Sequence, residues 1–105
     1  MATSVEFIEY VCEQIRAVGD VRYKKMFGEY MVYVNDKPVL LVCDDTVFVK
    51  MLDIVADDLS HAQKGIPYGG SKEHYILDID DADLAVRVVE KLEQVIPIPK
   101  PRKKK

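Results

Sequence analysis

Apolar residues recur every three or four positions at the two ends of the chain, and at alternate or continuous positions through its middle. Near the start, Val5, Ile8, Cys12, Ile15 and Val18, widened by Phe7 and Val11, form one stripe of an amphipathic helix. Thr3 or Ser4 is its N-cap and Gly19 its C-terminal stop. Asp20 to Phe27 predicts a strand with a polar first half, and Gly28 a turn or bulge. Three short runs rich in Val, Tyr and Phe follow: Glu29 to Val34, Pro38 to Cys43 and Thr46 to Met51. Asn35-Asp36-Lys37 and Asp44-Asp45 separate them, which is the signature of an antiparallel meander. A short helix is expected from Val55 or Ala56 to Lys64, with Leu59 and Ala62 inward. A turn-rich loop from Gly65 to Lys72 leads to a strand over His74 to Ile79. The last helix, capped by Asp80 or Asp81, carries Ala85, Val88, Val89, Leu92, Val95 and Ile96 inward and ends at Pro97.

The order α-β-β-β-β-α-β-α, with antiparallel hairpins, defines an α+β domain of two layers, a meander sheet with flanking helices. Strict alternation places Tyr30, Val32, Val34, Val39, Leu41, Cys43, Val47, Val49 and Met51 on one face. Met31, Tyr33, Leu40, Val42 and Phe48 fall on the other. A sheet with helices on one side normally has a polar second face. Here both faces are apolar, so a helix, the long loop or a second copy must shield the second. Met31, Tyr33, Leu40, Val42 and Phe48 are therefore the candidate protein interface.

At 105 residues the chain is one domain, expected over residues 1–96, with a disordered basic tail over 97–105. The tail holds five of the fifteen basic residues, Lys100, Arg102, Lys103, Lys104 and Lys105, leaving ten against eighteen acidic ones in the body. Such a body repels phosphate backbones, so nucleic acid is expected to bind only weakly and only through the tail. Arg22, Lys24 and Lys25 form a small basic run, read first as the charged edge of a sheet. No run of apolar residues is long enough for a membrane span, and the N-terminus lacks a signal-peptide pattern, so a cytoplasmic protein is expected. Cys12 and Cys43 show no ligand or redox spacing and are expected to be free thiols.

Catalysis and cofactor chemistry find no foothold. His61 and His74 fall in unrelated elements, and the Asp pairs sit where turns and caps need them. Gly69-Gly70-Ser71 lacks the pattern of a phosphate cradle. The expectation is a protein that is not an enzyme, with no cofactor and no metal.

The run Lys25-Met26-Phe27-Gly28-Glu29-Tyr30, followed by Val32-Tyr33 and then Asp44-Asp45 with Val47-Phe48-Val49-Lys50, resembles the N-terminal domain of the TfoX/Sxy competence regulators. The opening helix, Pro67-Tyr68 and the Tyr75 strand extend the match to about Ile96. The resemblance implies a two-layer α+β fold similar to secretion chaperones, and a bacterial regulatory role in DNA uptake alongside transcription machinery. It brings no catalytic residue or cofactor, and Lys25, Met26, Phe27, Gly28 and Tyr30 read as structural. Regulators of this type carry a second, helical domain, so a stand-alone N-terminal domain is expected. The leading function is a non-enzymatic regulatory or interaction module that binds a protein partner and forms a homodimer. The alternatives are an acidic dimeric chaperone-like binder, or a nucleic-acid accessory protein acting through the tail.

Overall fold

Ser4 opens the first helix, α1 (Val5–Gln14): its Oγ accepts the N–H of Phe7 at 3.1 Å, satisfying one orphan donor of the first turn. The helix buries Ile8, Val11 and Cys12. It tightens into a 3₁₀ turn over Arg16–Val18 instead of running as α to Gly19. This is a computed structural model, and it describes residues 4–26, 29–67 and 69–97. Four strands follow in order: β1 (Val21–Met26), β2 (Glu29–Val34), β3 (Lys37–Cys43) and β4 (Thr46–Lys50). After the short helix α2 (Asp53–Ala56) come β5 (Lys64–Gly65), β6 (His74–Ile76) and the closing helix α3 (Ala82–Val95), capped by Asp81. All pairings are antiparallel, in the order β1-β2-β3-β4-β6-β5.

Three elements differ from expectation. The helix expected over residues 55–64 is a single turn at Asp53–Ala56, followed by non-helical turns. Lys64 and Gly65 instead pair with Tyr75 and His74, so the presumed loop begins as an edge strand. The strand expected to reach Ile79 ends at Ile76, although the Leu77 N–H still reaches the Val47 carbonyl at 2.9 Å. The Thr3 cap, the Gly28 turn, Tyr68 and residues 98–105 of the tail all lie outside the described residues.

Both tight turns have two central residues at positive φ, Asn35 and Asp36 (52° and 69°), then Asp44 and Asp45 (55° and 56°). This is the left-handed pair that matches the twist of the flanking strands. The two turns make opposite demands on β3. Val34 faces the core and pairs with Lys37, which by alternation would turn Val39 and Leu41 inward. Val47 also faces the core and pairs with Val42, which requires Leu40 and Val42 inward. The conflict is resolved by one extra residue: Val32 pairs with Leu40 and Tyr33 with Pro38, leaving Val39 unpaired as a bulge.

Face assignment is corrected accordingly. Leu40 and Val42 belong to the core, at 1% and 0% exposure, packed among Tyr30, Val32, Val47, Val49 and the helices. Leu41 and Cys43, expected inside, point to the opposite face, because the bulge reverses the parity of every later residue in β3. Met51 falls beyond β4 and is exposed. The single core is closed by Ile8, Val11 and Ile15, by Val55 and Leu59, and by Ala85, Val88, Val89 and Leu92. All three helices thus lie on one side of the sheet.

Candidate interaction surface

The face that carries no helix among the described residues, the helix-free face, is built from alternate residues of the strands. Across it run Arg22 and Lys24 of β1, Glu29, Met31 and Tyr33 of β2, Pro38, Leu41 and Cys43 of β3, Phe48 and Lys50 of β4, and His74 and Ile76 of β6. Leu41 and Phe48 pair directly and are screened to 9% and 7% exposure, yet neither belongs to the helix-side core. Met31, Tyr33 and Ile76 are half-buried. Next to Leu41 and Phe48, a groove of 150 Å³ opens between Met31, Pro38, Lys50 and His74. The His74 ring stands edge-on to Phe48 at 6.4 Å.

Part of this face is shielded by the chain itself. Beyond β5 the backbone comes back over the sheet, where Pro67 is buried and its carbonyl accepts the Cys43 thiol at 3.2 Å. Gly65 lies against Ile76 and Phe48, where an added Cβ would stand 3.2 Å and 3.4 Å from their side chains. Burial raises the Cys43 thiol pKa, and the nearby Glu29 and Asp44 carboxylates raise it further. A thiol held protonated in this way is a weak nucleophile. Cys12 is pushed in the same direction, chiefly by burial.

The other polar clusters hold the fold together. Asp58, 13% exposed at its side chain, accepts Lys91 Nζ at 2.6 Å and Arg87 Nε at 3.1 Å. These partners, Lys91 foremost, hold its carboxyl below the usual value. Tyr10 donates to Asp80 at 2.6 Å and Gln14 to the Ile79 carbonyl at 2.8 Å, clasping α1 to the entry of α3. At the other end Lys37 Nζ meets the Glu93 carbonyl at 2.7 Å and its carboxylate at 3.3 Å. Among the described residues no group of three or more His, Cys, Asp or Glu is placed to hold a metal ion. His61 lines a cleft of 350 Å³ with Asp58 and Asp78, while His74 lies on the sheet.

Of the residues singled out for this surface, Met31, Tyr33 and Phe48 share the helix-free face, whereas Leu40 and Val42 do not. Leu41 and Ile76 take their places. The signal for Leu41 was present in the two turns with conflicting parities. Among the motif residues, Tyr30 is buried, edge-on to Tyr23 at 5.4 Å, and Lys25 pairs with it in the ladder. Met26 ends β1, while Phe27 and Gly28 lie outside the described residues, as do Lys100, Arg102, Lys103, Lys104 and Lys105.

A single α+β layer pair, with one half-apolar sheet face free of helices, defines a small domain built around a presented sheet. The chain belongs to the TfoX N-terminal domain family, whose model matches residues 13–94. It is also 32% identical over 107 aligned residues to the "Uncharacterized 12.7 kDa protein in trpE 5′ region" of Spirochaeta aurantia, covering 100% of this chain and 93% of that protein. No helix among the described residues is long and apolar enough to cross a membrane.

Proposed function

We propose that the chain is a non-enzymatic interaction module with a regulatory role of the kind associated with TfoX-type proteins in DNA uptake competence. Its partner is a protein, with transcription machinery the first candidate, and it docks on the helix-free face through Met31, Tyr33 and the Leu41–Phe48 pair. The observation that supports this reading is the apolar strip left on a face that no helix covers, beside a groove edged by Lys50 and His74. Apolar patches rimmed by polar groups characterise docking surfaces on soluble domains.

Affinity capture from the native cell, with Tyr33→Asp and Met31→Asp as controls, tests the reading. Both side chains are half-buried and outside the core, so the variants keep their far-UV circular dichroism. The expected result is a partner retained by the parent chain and lost from both variants. A partner retained by both folded variants would remove the sheet face from the reading. Sedimentation of the parent and Tyr33→Asp chains shows whether a second copy occupies the same face.

A further inference from the structure

We propose that the open edge of β1, with the groove between it and α1, takes an extended segment of a partner protein as a seventh strand, and that this segment carries acidic residues at alternate positions. The site adjoins the sheet face described above, with which it shares Arg22 and Lys24. β1 is the edge strand of the sheet, six residues long, and is hydrogen-bonded on one side only. The Asn35 N–H donates to the Asp20 carbonyl at 2.9 Å, so residues 20, 22 and 24 direct their backbone groups toward β2. By ladder alternation Val21, Tyr23 and Lys25 direct theirs outward, and among the described residues no backbone partner meets them. An added strand is the partner that such a row of donors and acceptors fits.

A groove of 360 Å³ runs beside this edge, with Glu9 and Glu13 of α1 and Arg16 of the following 3₁₀ turn on one wall, Val21, Arg22 and Tyr23 on the other, and the buried Cys12 beneath. The two sides of an incoming strand would therefore meet different chemistry. On the helix-free side lie Arg22 and Lys24; Arg22 makes an exposed 3.1 Å pair with Asp20, and Lys24 has no ion pair among the described residues. On the helix side lie Tyr23, 39% exposed, and the Glu9 and Glu13 carboxylates. Acidic side chains are favoured on the first side and apolar ones on the second.

Two occupants closer to hand fit poorly. A second copy paired through β1 about its middle would set Arg22 against Lys24 on both sides of the axis, and like charges directly opposite are destabilising. The chain's own Lys100–Lys105 segment is basic and would be repelled by the same residues.

Amide hydrogen exchange on the full chain, with a capped peptide of alternating Glu and Val as probe, tests the site. Exchange at Val21, Tyr23 and Lys25 is expected to slow by about fivefold or more with excess peptide, while Arg22 and Lys24, already bonded to β2, change little. A Lys-Val peptide is expected to have no effect, and Lys24→Glu to shift the preference toward it. Lys25→Pro removes an outward donor without breaking the β2 ladder and should abolish the response, while Lys25→Ala keeps it. Unchanged exchange, equal slowing by both peptides, or a response at Met31 and Phe48 instead would overturn the proposal. Leu41→Ala, two strands away from β1, should leave the peptide response intact, so this site and the sheet face fail or hold separately.

Discussion

Asp36 sits at φ 69°, a conformation that a side chain with a Cβ adopts at some cost and glycine adopts freely. Asp36→Gly is therefore expected to raise stability by about 0.5 kcal/mol, and Asp36→Val to lower it by about 1–2 kcal/mol, read from urea midpoints. Asp58 makes a different kind of contribution. Its carboxyl is held below the ordinary Asp value, mainly by the Lys91 hydrogen bond, so it favours the folded state wherever the unfolded chain is also ionised. That contribution is complete above the ordinary carboxylate range and is lost as pH falls through the lowered folded value. Asp58→Asn should lower the urea midpoint at pH 7, and the gap from the parent chain should close on acidification toward pH 3. A gap independent of pH would mean that the ion pairs with Lys91 and Arg87 contribute nothing.

At the scale of elements, β3 makes the sharpest distinction. Leu40→Ala opens a cavity in the core and should cost about 3 kcal/mol. Leu41→Ala, on a face without helices, should cost about 1 kcal/mol, because its neighbours there can close over the gap. Equal losses in chemical denaturation would mean that β3 has no bulge. Most of this layer was legible from residues: the β2 boundaries, the two Asn/Asp turns, the Ser4 and Asp81 caps, and the stripes of α1 and α3 apart from their outermost members, Val5 and Val95, which are exposed because they lie at helix ends beyond the reach of the sheet. The reversal inside β3 was not read from alternation, which carries no mark of an inserted residue. It follows only when the pairings Val34–Lys37 and Val42–Val47 are imposed together. Lys64 and Gly65 were beyond reach for another reason, since a two-residue strand is made by its partner rather than by its own propensity.

Across the whole molecule one core joins all three helices to one side of the sheet, so no part can lose its packing alone. Thermal unfolding followed by far-UV and near-UV circular dichroism should give coincident transitions. An earlier near-UV transition would show a helix layer that loosens before the sheet. The surfaces proposed for interaction were only partly visible in the sequence. An excess of apolar residues indicated a presented face, and Arg22, Lys24 and Lys25 indicated an edge. The groove beside α1 arises from how the helix sits over β1, which no run of residues encodes by itself.

β1 to β4 stand side by side in the order in which the ribosome delivers them, whereas β5 emerges before β6, the only strand it pairs with among the described residues. Each early hairpin can close on a segment just made, which favours rapid assembly. The nascent chain must then hold the far side of Thr46–Lys50 bare until His74–Ile76 leaves the exit tunnel. During that interval of translation an unpaired, greasy edge is exposed, and it is there that a slowed ribosome would most readily produce aggregates.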